Sequence, residues 1–151
     1  MSKSFDFKHA PGHLIRRAHQ LAVAIFMEET ADFDVTPVQF AILNALIDTP
    51  GADQITLAGQ VAFDAATSGA VIGRLVARGW IRREPDAVDR RRKLLWVTPD
   101  GEQAVQQMKR LVARVQTHIL APLNAQEREQ LLALLGKLVS GHEATDDGGG
   151  H

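Results

Sequence analysis

Eight basic residues stand within twenty positions, Arg74, Arg78, Arg82, Arg83, Arg90, Arg91, Arg92 and Lys93, opposed only by Glu84, Asp86 and Asp89. Guanidinium groups at this density do two kinds of chemistry. They neutralise phosphate, and they read guanine edges through paired N–H donors. The window carries +5 while the other 131 residues sum to −6, so the whole-chain charge of −1 conceals a local cationic segment. Attraction that is screened beyond about 10 Å responds to such local density and not to the average.

A second cationic group lies near the start. His9, His13, Arg16, Arg17 and His19 crowd the first half of one segment, with His13 and Arg17 four apart and Arg16 beside them. A guanidinium at an apolar cleft can hold a carboxylate bidentately in a partly desolvated setting. Phe26, Phe40, Phe63 and Trp80 are available as aromatic walls or as ordinary core. Pairing of Arg16 and Arg17 with acidic residues of a second copy is equally open. So is a metal-responsive role, although Pro11-Gly12 separates His9 from the helix that would present His13, and no further ligand completes a tetrahedral set.

Several function classes are excluded. The 151 residues contain no Cys, which removes disulfides, thiolate nucleophiles, zinc–thiolate sites and cysteine redox switching. There is no nucleophile-elbow motif, phosphate-cradling loop or evident carboxylate pair, so an enzyme is not expected and no cofactor is implied. Nor is there an apolar run of the roughly 18 residues a membrane span needs, or a signal-peptide pattern, and a cytoplasmic protein without membrane association is expected.

The elements that must position these groups are read from periodicity and caps. Pro11 opens a helix carrying Leu14, Ala18, Leu21 and Ile25. Thr36-Pro37-Val38-Gln39 is a capping box with proline at the first helical position, and Phe40, Leu43, Leu46 and Ile47 form the buried face behind it. Thr56 is read as the cap of a short helix to about Ala62, with a strand possible over Gln54 to Thr56. A helix from Ala65 to Arg78 ends at Gly79. Its Ile72, Leu75 and Val76 are spaced to face inward, with Thr67, Ser68, Ala70, Val71, Arg74 and Arg78 opposite. Its two glycines, Gly69 and Gly73, permit close approach either of nucleic acid or of a neighbouring helix. Trp80–Glu84 and Lys93–Val97 read as strands around a polar loop. Pro99–Leu120 is a long amphipathic helix, and Asn124 with Glu127 caps the last one, which carries Leu131, Leu134, Leu135 and Leu138. The order is mainly α with one small β-hairpin, the outline of a winged helix-turn-helix flanked by N- and C-terminal helices.

Three segments in this order resemble the MarR (multiple antibiotic resistance regulator) family: Thr36–Leu43, Gly73–Ile81 and the wing motif Asp89-Arg90-Arg91-Arg92 followed by Thr98-Pro99-Asp100-Gly101. The resemblance covers roughly residues 10–140. It implies a winged helix-turn-helix over 36–97, dimerisation helices over 10–35 and 98–142, and flexible termini at 1–9 and 143–151. It implies a ligand-responsive repressor that binds double-stranded palindromic DNA as a homodimer. The recognition-helix positions match Thr67, Ser68, Arg74 and Arg78. In the wing, Arg90 is expected to enter the minor groove and Arg91 to lie at the DNA while bracing the wing through Asp89. Arg82, Arg83, Arg92 and Lys93 are open between phosphate contact and a solvated face. A small anionic aromatic effector, or its coenzyme A thioester, would be held by His13, Arg16, Arg17 and His19. A DNA-binding protein without a ligand switch is the remaining alternative.

Overall fold

The computed structural model describes residues 4–61 and 65–148. Contacts divide the chain into a unit over residues 1–115 and a second over 116–151. In the first, α1 (Pro11–Glu29) is followed by a 3-10 turn at Ala31–Phe33, α2 (Pro37–Asp48), α3 (Gln54–Gln60), α4 (Ala65–Ala77), β1 (Ile81–Pro85), β2 (Lys93–Val97) and the start of α5 (Pro99–Ile119). The second unit holds the end of α5 and α6 (Ala125–Gly148).

Local chemistry fixes the helix starts. At α2 the Thr36 hydroxyl accepts from the Gln39 amide while the Gln39 side chain accepts from the Thr36 amide, both at 3.1 Å, with Pro37 at the first position. Asn124 and Glu127 make the same reciprocal pair at α6, each bond 2.9 Å. Such caps are worth about 1 kcal/mol each because they satisfy amides that the helix cannot. At α3 the structure differs from the sequence reading. Residues Gln54–Thr56 are helical, and the cap is Asp53, whose carboxylate accepts from the Thr56 amide at 2.7 Å. The extended pairing sits just before it, where Gly51 donates to the Leu95 carbonyl and Leu95 to that of Ala52.

A single core joins α2, α3, α4, the hairpin and α5: Ile42, Leu43, Leu46, Leu57, Val71, Ile72, Leu75, Ile81, Leu95 and Val105. The hairpin pairs Ile81 with Val97 through Pro85 with Lys93 in antiparallel register, leaving residues 86–92 as the wing. A tight knot fixes the hairpin to its flanking helices. Gly79, at φ +85°, closes α4 in a Schellman arrangement, with the Trp80 amide donating to Leu75 and that of Gly79 to Val76. The Thr98 hydroxyl donates to the Gly79 carbonyl at 2.6 Å and accepts from the Gly101 amide at 3.1 Å. A side chain at position 101 would overlap the Trp80 carbonyl and come within 2.8 Å of Val97 Cγ1. That is why glycine follows Thr98 at this interval.

Each terminal helix leaves apolar residues uncovered within its own unit. On α1, Leu14, Ile15 and Leu21 remain about half exposed, and on α6 so do Leu132, Leu134, Leu135, Leu138 and Val139. Helix α6 continues to Gly148, past the expected end, because nothing between Ala144 and Asp147 breaks it. Residues 7–9 form a 3-10 turn. The outermost residues of both expected flexible termini, and Phe63, lie outside the described residues. Among the described residues no helix is long and apolar enough to cross a membrane.

Candidate DNA interface and effector helix

Helix α4 presents two unlike faces. Ser68, Val71, Ile72 and Leu75 are buried, while Ala66, Thr67, Ala70, Arg74 and Ala77 are exposed. The outer face is therefore low and smooth, edged by the hydroxyl of Thr67 and the guanidinium of Arg74. Arg74 meets no protein partner among the described residues. Ser68 departs from the expectation of a DNA contact: it is fully buried and its Oγ has no hydrogen-bond partner among the described residues. Val71 is likewise on the inner face. The two lie with Ile72 and Leu75 on one helical stripe, so an inward position for the last pair commits the first pair as well.

Arg78 departs for another reason. Its Nη1 donates to the carbonyl of Asp34 at 2.6 Å and its Nη2 to that of Phe33. The guanidinium carbon lies 3.7 Å from the Trp80 ring centroid. Two of its N–H donors are thus engaged by backbone carbonyls and one face of the group lies on an indole.

The glycines of α4 separate into two cases. A side chain at Gly69 would come within 2.9 Å of Gln54 Nε2, so this position lets α3 approach. At Gly73 nothing lies within 4 Å, and the space outside is open.

In the wing, two aspartates fold the loop upon itself. Asp86 accepts from the Val88 amide at 3.0 Å and Asp89 from the Arg91 amide at 3.1 Å. Arg90 projects without a protein partner among the described residues. The expected Asp89–Arg91 brace is slight, at 3.7 Å with Arg91 97% exposed, so Arg91 stands essentially in solvent. The brace is made by Arg92 instead. Its Nε donates to Asp53 Oδ2 at 2.7 Å, its Nη1 lies 3.6 Å from Asp86, and its backbone amide bonds to the Asp89 carbonyl. The Asp53 carboxyl is held down at about 2, first by the Thr56 amide, with help from the Thr56 hydroxyl and the Arg92 guanidinium. Arg82 is occupied along the hairpin, paired with Glu84 and lying 4.6 Å from the Trp96 ring centroid. Arg83 and Lys93 are exposed.

On α1 the cationic residues sort differently from their spacing. Arg16, not Arg17, joins His13: its Nη2 lies 3.1 Å from His13 Nδ1, within hydrogen-bonding distance. Phe7 lies against this pair, 4.6 Å from the His13 ring and 5.9 Å from the Arg16 guanidinium. Arg17 donates to Gln20 at 2.7 Å, and His19 is exposed. His9, outside the helix, bonds to Asp6. Among the described residues no group of three or more His, Asp or Glu is placed to hold a metal. Phe26 and Phe40 pack tilted at 6.2 Å between ring centroids, with Phe26 buried.

A family model for the MarR family matches residues 33–92, from the end of the α1–α2 link to the wing. The HTH-type transcriptional repressor NicR of Pseudomonas putida is 33% identical over 139 residues, covering 92% of this chain and 88% of NicR. This chain belongs to the MarR family. Among solved MarR-type structures, BpsR of Bordetella bronchiseptica, whose DNA binding is regulated by 6-hydroxynicotinic acid, is 35% identical with a TM-score of 0.85, over 91% of this chain and 98% of that one. PcaV of Streptomyces coelicolor, solved with its natural ligand, is 32% identical with a TM-score of 0.81, over 92% and 98%. Membership of the MarR family makes the chain a winged helix-turn-helix transcriptional regulator and not an enzyme. Within that frame the pairing of Asp53 with Arg92 is what sequence reasoning missed. Asp53 carried a recoverable signal, since Asp-x-x-Thr before a helix is a cap pattern. The partnership of Arg92 with it carried none.

Proposed function

We propose that this MarR-family regulator is a repressor that binds a palindromic operator as a homodimer and leaves it when a small aromatic carboxylate binds beside α1. The observation that carries the DNA reading is the exposure of Arg74 on the smooth face of α4 together with Arg90 on a wing braced to the same core. Arg74 can read guanine in the major groove, with Thr67 beside it, while Arg90 and Arg91 reach the backbone and minor groove alongside. The half-exposed leucines of α1 and of α6 supply apolar surface for a second copy, and a two-fold dimer presents two recognition helices about 34–36 Å apart, one turn of DNA.

The effector reading rests on Arg16 and His13 beside Phe7, a guanidinium and imidazole next to an aromatic ring on a helix with uncovered apolar residues. Arg17 and His19 are the flanking candidates. The 6-hydroxynicotinic acid that regulates DNA binding by BpsR supports this ligand class. The test combines selection of a duplex from a random library with displacement by 6-hydroxynicotinate, benzoate, hydroxycinnamate and coenzyme A thioesters. Sequence-selective, salt-dependent binding that one acid reverses is expected. Binding that is indifferent to sequence removes the repressor reading, and binding indifferent to every acid removes the effector. Calorimetry then assigns the anchor: Arg16→Ala is expected to lower affinity at least tenfold, and equal affinity in Arg16→Ala, Arg17→Ala and wild type would show that neither holds the acid.

A further inference from the structure

The last turn of α4 is fastened to a segment 44 positions earlier in the chain. The two carbonyls that Arg78 holds belong to the link between α1 and α2. Phe33 closes the 3-10 turn, and Asp34, at φ 50°, is the one non-glycine residue with positive φ among the described residues. The link is fixed on either side by buried groups. Thr30, before it, returns its hydroxyl to the Phe26 carbonyl at 2.7 Å, and Val35, after it, is fully buried. On the other side of the guanidinium, Trp80 joins the end of α4 to α5, its carbonyl accepting from the Thr98 amide at 2.9 Å. Arg78 thus ties the link that follows the helix carrying Arg16 and His13 to the end of the helix that carries Arg74.

We propose that Arg78 is a positioning residue that couples α1 to the recognition helix α4, rather than a DNA contact; the ligand side of this role rests on the effector reading above. A planar group bonded to two successive carbonyls has a narrow range of geometries. If the link shifts as α1 moves, the guanidinium must follow, taking the Trp80 junction and the end of α4 with it, or let go. Coupling of this kind is reciprocal, so operator bound at α4 must also be felt at the link.

The test uses the full chain, a duplex selected by the wild type and 6-hydroxynicotinate as probe. Arg78→Gln removes the clamp and the charge; Arg78→Lys keeps the charge but loses the fork and the stacking, and serves if the first variant fails to fold. Three readouts are taken: the slope of log affinity against log salt, hydrogen exchange of the Ala31–Asp34 amides with and without duplex, and the loss of operator affinity caused by the acid. In the wild type, duplex is expected to slow exchange at the link at least threefold, and in both variants this response disappears. The salt slope stays at the wild-type value, and the acid-induced loss of affinity shrinks at least fivefold. A slope reduced by about one in Arg78→Gln would identify a phosphate contact and overturn the proposal. So would a link whose exchange ignores the duplex in the wild type, or a duplex response retained in the variants. A wild type that no acid displaces would remove the effector reading alone, because the exchange measurement decides the role of Arg78 without any acid.

Discussion

Arg92 Nε bonds to Asp53 Oδ2 at 2.7 Å across 39 positions of sequence, and the same carboxylate caps α3 through the Thr56 amide. One aspartate therefore fixes both the start of the first helix of the helix-turn-helix and the base of the wing. Asp53 is largely shielded, at 14% side-chain exposure, whereas Arg92 is half exposed at 52%, so water weakens the pair. A double-mutant cycle of Asp53→Asn and Arg92→Ala is expected to give a coupling of about 0.5–1 kcal/mol in denaturant unfolding. Asn retains the capping ability, so Asp53→Ala should cost about 1 kcal/mol more than Asp53→Asn. Additive single-variant effects would show that the ion pair contributes nothing to the fold.

The same carboxyl sets a pH dependence. Its folded-state value of about 2 lies below its ordinary 3.8, so ionised Asp53 favours the folded state. That contribution is complete above the ordinary value and is lost as pH falls from about 3.8 towards 2, where the unfolded chain takes up the proton first. The stability difference between wild type and Asp53→Asn should be flat from neutral pH to about 5 and then shrink through this window. A difference that is constant down to pH 2 would show that the carboxyl is not held low by its partners.

Arg90 and Arg92 are near neighbours in the wing with opposite assignments. Arg90→Ala removes a group without protein contacts among the described residues, and should leave thermal stability unchanged while lowering operator affinity several-fold and the salt slope by about one. Arg92→Ala should also weaken operator binding, through a looser wing, with a measurable loss of stability. Titration of a selected duplex at several salt concentrations, paired with thermal melts, separates the two. Unchanged operator affinity in Arg90→Ala would end the wing assignment.

What the sequence made legible was local. The Thr36–Gln39 and Asn124–Glu127 boxes, the glycine that ends α4 and the two strands all depend on residues within a few positions of one another, where spacing alone sets geometry. The partners of Arg78 and Arg92 were not legible, because the carbonyls and carboxylate concerned lie about forty residues away. Ser68 misled for a subtler reason. A hydroxyl is chemically suited to DNA, and its burial followed only from the phase of the helix, which Ile72 and Leu75 had already fixed. On α1, spacing paired His13 with Arg17, yet the arrival of Phe7 from the preceding turn goes with an Arg16 partnership that spacing alone did not select.

The two glycines of α4 offer the sharpest test of which helix face meets DNA. A methyl group at position 73 would enter open space, and replacing glycine by alanine inside a helix gains about 1 kcal/mol. Gly73→Ala should therefore raise the unfolding free energy by up to that amount. The same methyl stands on the outer face beside Ala70 and Ala77, where groove walls would close on it, so operator affinity is expected to fall at least threefold. Gly69→Ala presses instead on Gln54, a flexible side chain on α3, and should change operator affinity less than Gly73→Ala does. A Gly73→Ala protein that is both more stable and fully competent for operator would mean that DNA approaches α4 from another side, and would return Arg74 to the status of a solvated arginine.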